Sequence, residues 1–173
     1  MYKDYIQLSF LDWPENDRCI TVYLTGCRIG CLDCHNKGLW NKIEINELQL
    51  VKELIMFCER NNTKNITISG GEPFSDLVRL NKILKEIPKD YNICIYTGED
   101  NLYLMDTIII NNYSHIKYLK IGSFKKELAL TSNKTDEGFT LASSNQTVYK
   151  WDEELKTFLP ISTKGFYKYK GEK

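Results

Sequence analysis

Three cysteines stand close together in TGCRIGCLDCHNKGLW (Thr25 to Trp40): Cys27, Cys31 and Cys34, with His35 directly after the last. Thiolates at this density bind metal in a reducing compartment and pair as disulfides in an oxidising one. A structural zinc ion asks for four ligands, usually as two pairs. This run supplies three. His35 adjoins Cys34, so the two side chains diverge in an extended segment, and a scattered cysteine would have to complete the set. An electron-transfer iron–sulfur protein also asks for four cysteines. Three leave one iron of a [4Fe-4S] cluster without a protein ligand, and an open position is what a catalytic metal site reserves for its reactant. The count favours substrate chemistry at a cluster over structural zinc. A disulfide frame fails on the odd number.

The elements around this run must position it. RCITVYLTG (Arg18 to Gly26) alternates like a strand and leads into the cysteine loop. NELQLVKELIMFCER reads as a helix, with Asn46 as N-cap and Gln49 three residues on. Leu48, Val51, Ile55 and Cys58 are expected on its apolar face. NITIS (Asn65 to Ser69) is a strand that runs into Gly70-Gly71-Glu72-Pro73. A second helix starts near Ser75, carries Leu77, Leu80, Leu84 and Ile87, and stops at Pro88. Strands follow at Tyr91 to Gly98, Ile116 to Gly122 and Gln146 to Trp151. A helix is expected around Leu102 to Ile110.

Alternating strands and helices predict an α/β fold with a mainly parallel sheet. Ile20, Val22 and Leu24 share one face of their strand, while Thr21, Tyr23 and Thr25 share the other, and later strands repeat the pattern. A parallel sheet covered on both faces should be apolar on both. One small or polar face predicts a curved, partial TIM-like βα barrel with helices outside and a ligand cavity inside. Ligands of such folds collect at the carboxyl ends of the parallel strands. Those ends are the cysteine loop, Gly70-Gly71-Glu72, Thr97-Gly98 and Gly122, so the chemistry-bearing residues converge on one rim.

The 173 residues suit one domain over 1–151, followed by an extension over 152–173 that is either a docking tail or disordered. Lysine plus arginine equals aspartate plus glutamate, 23 of each, which argues against a broad phosphate-binding face and so against nucleic acid. Lys125 and Lys126 read as solvated surface. No apolar run is long enough for a bilayer, and Met1-Tyr2-Lys3-Asp4 is no signal region. The expected location is the cytoplasm.

Cys27-Arg28-Ile29-Gly30-Cys31-Leu32-Asp33-Cys34 resembles the C-x3-C-x2-C signature of the radical S-adenosylmethionine enzymes. Cys34-His35-Asn36 with Trp40, and Gly70-Gly71-Glu72-Pro73, resemble the glycyl-radical activating enzymes within that superfamily. YTGED (Tyr96 to Asp100), LKIGSF (Leu119 to Phe124) and SNQTVYKW (Ser144 to Trp151) are similar to the branch that serves anaerobic, class III ribonucleotide reductase. The resemblance implies that Cys27, Cys31 and Cys34 each ligate an iron of a [4Fe-4S] cluster, and that the fourth iron binds the amino and carboxylate groups of S-adenosylmethionine. It implies that Glu72, with backbone from Gly70 and Gly71, holds the amino group, a carboxylate being the natural partner of an ammonium. Backbone around Asp33 and His35 would face the adenine. Thr97 would line the cofactor site, and Lys120 would meet the cofactor carboxylate. Reductive cleavage of the sulfonium would yield a 5′-deoxyadenosyl radical that takes hydrogen from a glycine of the partner reductase, with a flavodoxin- or ferredoxin-type donor supplying the electron. Other readings are an activase of another glycyl-radical enzyme, a small-molecule enzyme of the same superfamily, and a zinc-stabilised binding module. Asp33 departs from the pattern, since relatives often carry an aromatic residue or a glycine there.

Overall fold

The computed structural model describes residues 3–100, 114–130, 135 and 137–161. Among them seven strands form one mixed sheet: β1 (Ile6–Ser9), β2 (Cys19–Leu24), β3 (Asn65–Gly70), β4 (Asn92–Tyr96), β5 (Ile116–Ile121), β6 (Thr147–Asp152) and β7 (Thr157–Pro160). Their order across the sheet repeats their order in the chain. β2 to β5 run parallel, with Val22 opposite Ile68 and Ile68 opposite Ile95. β1, β6 and β7 are antiparallel additions at the two edges. The edges β1 and β7 do not pair, so the sheet is not closed. The fold is therefore α/β, as expected, on an open sheet. Of the extension expected over 152–173, Thr157–Pro160 forms β7. The helix expected around Leu102 to Ile110 lies outside the described residues.

Helix α1 (Glu47–Arg60) starts where Asn46 caps it: the Asn46 side chain accepts from the Gln49 N–H at 3.0 Å. The Gln49 side chain donates forward to Glu53 at 3.0 Å. The face of α1 differs from the expected one. Leu50, Val51, Leu54 and Cys58 are buried, whereas Leu48 is 47% exposed. The spacing of 50, 54 and 58 continues one stripe through the helix, and Leu48 falls off it in the first turn. Helix α2 (Leu77–Glu86) is capped by Asp76, whose side chain accepts from the Arg79 N–H at 3.0 Å, and it ends before Pro88.

Both helices pack on the aliphatic face of the sheet. Ile20, Val22, Ile66, Ile68, Ile93 and Ile95 meet Leu50, Leu54, Leu80 and Ile83 there, all essentially without exposure. Each such side chain contributes about 1.5–3 kcal/mol when taken from water. The opposite face is polar in sequence yet largely filled. Trp13, Phe139, Leu141 and Val148 pack over Cys19 and Cys94. Tyr118 meets Trp13 and Phe139 edge-on, with ring centroids at 5.6 and 5.0 Å. The Thr21 hydroxyl donates to the Asp12 carboxylate, and the Thr67 hydroxyl to the Asp12 carbonyl, each at 2.8 Å. The cavity expected along this face is thus confined to the carboxyl-end rim.

Candidate active site

The cysteine loop leaves β2 at Leu24 and is pinned where it begins and ends. Gly26 N–H donates to the Leu39 carbonyl at 2.8 Å and Cys27 N–H to the Trp40 carbonyl at 3.1 Å. The next strand end is stitched to the same place: Gly71 N–H reaches the Leu24 carbonyl at 2.7 Å and Glu72 N–H the Gly26 carbonyl at 3.1 Å. Only glycine allows this approach. Gly70 sits at φ +112°, and a Cβ on Gly71 would lie 2.6 Å from the Gly26 oxygen. Beneath the loop, buried Arg79 donates to the Thr25 carbonyl at 2.8 Å.

Cys27, Cys31 and Cys34 line one open cleft of about 170 Å³ together with His35, Gly70, Gly71, Glu72, Thr97 and Lys120. None of the six cysteines is in a disulfide. Burial pushes the Cys31 thiol up, and the neighbouring Cys34 and Cys27 push it further, against hydrogen bonds from its own backbone and that of Phe124. Asn36 N–H lies 3.3 Å from the Cys34 sulfur. Among the described residues no three His, Cys, Asp or Glu side chains converge on a point as the ligands of one ion would. Thiols arranged round a cleft, with amides directed at their sulfurs, suit a cluster in which each thiol takes a different iron.

Glu72 is buried opposite the thiols, with 3% of its surface exposed. Its Oε1 accepts from the Phe74 N–H at 2.9 Å and from the Thr97 hydroxyl at 2.7 Å, and its Oε2 accepts from the Gly98 N–H at 2.8 Å. Burial raises its carboxyl above the usual range, while the bonds from Thr97, Phe74 and Gly98 pull it down. Oε2 keeps a lone pair for one more donor.

Lys120, on β5, lines the cleft. Its Nζ donates to the Thr140 carbonyl at 3.2 Å and sits 4.4 Å from the centroid of the Tyr96 ring. Among the described residues it makes no ion pair. Burial lowers its ammonium below the usual range, with distant Asp12 acting the other way. Among the described residues the Tyr96 hydroxyl and the Trp40 indole N–H, both of cleft-lining residues, are buried without a partner.

The two residues that flank the motif's third cysteine, Asp33 and His35, were both expected near a cofactor, and only His35 lines the cleft. Asp33 is 43% exposed at its side chain and pairs with Lys126 at 3.6 Å, so its carboxylate turns outward. Lys126, expected as free surface, is its partner. The His35 ring packs against Phe124 with centroids 4.7 Å apart. These contacts tie the cysteine loop to the segment after β5. Nine of the ten expected residues line the cleft, and Asp33 does not. Phe124, Tyr96 and Gln146 also line it and were not singled out from sequence, although LKIGSF, YTGED and SNQTVYKW contain them.

Residues 17–149 match the family described as a 4Fe-4S single cluster domain. The chain belongs to this family. A 4Fe-4S family member is similar to the anaerobic ribonucleoside-triphosphate reductase-activating protein of Enterobacteria phage T4, 23% identical over 72% of this chain and 83% of that one. It is similar to the protein of the same name from Pasteurella multocida, 26% identical over 80% and 90%. It also matches the pyruvate formate-lyase-activating enzyme of Staphylococcus epidermidis, 25% identical over 56% of this chain and 49% of that enzyme. No solved structure matches. The resemblance to activating enzymes built round a [4Fe-4S] cluster is borne out by these matches, and this 4Fe-4S protein is an enzyme of that oxidoreductase type.

Proposed function

We propose that this 4Fe-4S protein is a radical S-adenosylmethionine activase that places a glycyl radical on anaerobic ribonucleoside-triphosphate reductase. One observation carries the reading: three thiols, a buried carboxylate and a lysine that makes no ion pair among the described residues line a single open cleft. When bound, a [4Fe-4S] cluster with S-adenosylmethionine supplies one-electron cleavage of the sulfonium and, from it, hydrogen abstraction. The chain's own residues bind and orient. Cys27, Cys31 and Cys34 hold three irons. Glu72 and the Gly70 and Gly71 backbone receive the methionine ammonium, and Thr97 holds Glu72 in place. Lys120 receives the carboxylate, and a salt bridge there offsets the burial of its charge. Backbone at Asp33 and His35 borders the adenine. The sheet reads as the curved, incomplete barrel that such a cleft crowns, and its open mouth admits a loop of a protein substrate.

The target reductase is favoured over a formate-lyase target because the relatives named for the reductase are matched along most of their length, against about half for the other. The test is anaerobic reconstitution with iron and sulfide, then dithionite and S-adenosylmethionine. Formation of 5′-deoxyadenosine is expected, and with a class III reductase present a glycyl radical signal in electron paramagnetic resonance. No 5′-deoxyadenosine sinks the enzyme reading; a radical only on another glycyl-radical enzyme sinks the target. Stoichiometric zinc without iron in anaerobically purified protein would favour a binding module instead.

A further inference from the structure

Between its thiols the cysteine loop carries two aliphatic side chains, and they differ in placement. Leu32 is 87% exposed. Ile29 is half-buried and lines the cleft. Its side chain ends just past the carboxyl end of β4. A Cβ built on Gly98 would lie 2.5 Å from Ile29 Cδ1, so this methyl fills the place that a side chain at position 98 would take. The same point is 3.6 Å from Glu72 Oε2. Ile29 Cδ1, Gly98 and the acid therefore border one small space. Gly98 is outside the left-handed region, so the backbone there does not ask for glycine; the contact with Ile29 does.

This contact has a chemical consequence. The Gly98 N–H that Ile29 packs beside is the donor that holds Oε2, at 2.8 Å. With the Thr97 hydroxyl and the Phe74 N–H, it gives Glu72 a fixed set of polar partners. A pair of opposite charges is strongest where water is kept from it. An alkyl group beside Oε2 offers no competing donor and leaves less room for water. It also joins the loop that carries the thiols to the strand end that carries the partners of the acid.

We infer that Ile29 is a positioning residue for S-adenosylmethionine: packed on Gly98, it shields the bond between Glu72 and the methionine ammonium from water and sets the span from the cysteine loop to the acid. The inference rests on the proposed function.

The test titrates S-adenosylmethionine calorimetrically into the full chain loaded with its cluster, anaerobic and oxidised so that no cleavage occurs, across the acid to neutral range. Wild-type affinity should rise with pH as Glu72 ionises, in a range set by its raised carboxyl. Ile29→Ser should weaken binding by about tenfold once Glu72 is ionised. It should also move the rise to lower pH, because water at Oε2 returns the carboxyl toward its ordinary value. Of the other titratable groups near Glu72, Glu99 beyond β4 raises its carboxyl further, and Lys120, Tyr96, His35 and the three thiols share the cleft; the variant keeps them all.

A second pair of substitutions is also read without cluster or cofactor. Gly98→Ala puts a methyl where Cδ1 lies, and Ile29→Val removes Cδ1 alone. Gly98→Ala should lower the urea midpoint of the cluster-free protein and weaken S-adenosylmethionine binding to the loaded one. Adding Ile29→Val to the same chain should restore both. Iron content checks that each variant holds its cluster, and the Gly98 pair decides if Ile29→Ser does not. An unmoved pH profile in Ile29→Ser would overturn the inference, since a residue that only props up the loop changes affinity alike at every pH. So would a Gly98→Ala protein that behaves as wild type, or one that Ile29→Val fails to rescue. If the wild type binds no S-adenosylmethionine, the functional reading fails; if the wild type binds it and the variants bind it alike, only the role of Ile29 does.

Discussion

At the scale of single residues, Glu72 carries the sharpest consequence. Burial raises its carboxyl above the ordinary glutamate range. An acid whose folded value is raised contributes stability below its unfolded value and loses that contribution as pH rises through the folded one. An ammonium placed against Oε2 reverses the balance by favouring the anion. Binding of S-adenosylmethionine to the cluster-loaded protein should therefore release a proton, in the window between the ordinary glutamate range and the raised value. Calorimetry in two buffers of different ionisation heat measures this; binding without proton release would remove the ammonium from Glu72, and Glu72→Gln should abolish the release. The three cysteines were legible because their spacing alone limits the chemistry. Asp33 was not, because its partner Lys126 comes from the far side of the sheet's parallel centre, and sequence patterns do not carry pairings between distant loops. The same holds for Glu72 with Thr97 and Gly98, which meet only once the register of β3 and β4 is set.

At the scale of elements, the strands β2 to β6 and both described helices were readable from period and caps, since each is long enough to show its period. β1 and β7 were not: four residues each at an edge, with one buried position apiece and a Pro ending β7, give too little alternation. The face of α1 was misassigned because Leu48 and Leu50 both fit an apolar stripe until packing chooses one. The element that matters most to the site is the seam between the cysteine loop and Gly70-Gly71. Gly71→Ala would push a methyl into the Gly26 and Leu39 carbonyls, at 2.6 and 3.1 Å. We expect a loss of about 1–3 kcal/mol in urea denaturation and poorer retention of iron on gel filtration. Wild-type stability and iron content would show that the seam gives way freely.

At the scale of the whole molecule, two cores share one sheet. The aliphatic core beneath α1 and α2 was evident from the isoleucines of alternating strands. The second core was not, because Phe139 and Leu141 come from an irregular segment without period. Phe139 has no exposure, so Phe139→Ala should lower stability by about 3–5 kcal/mol in urea denaturation. A loss below about 1 kcal/mol would mean that this face is not packed. The second core also explains why a polar sheet face does not make a deep cavity: the aromatics occupy its lower part and leave the rim to the cofactor. The sheet's order, identical with that of the chain, has a consequence in time. As the chain emerges from the ribosome, each new strand finds its neighbour already made, and none must be inserted between two others. The thiol loop is therefore anchored as soon as β3 pairs with β2. Thr97, which holds Glu72, and Lys120 arrive afterwards, with β4 and β5. Nascent protein carries the thiols and Glu72 together before Lys120, the cation of the cleft, exists.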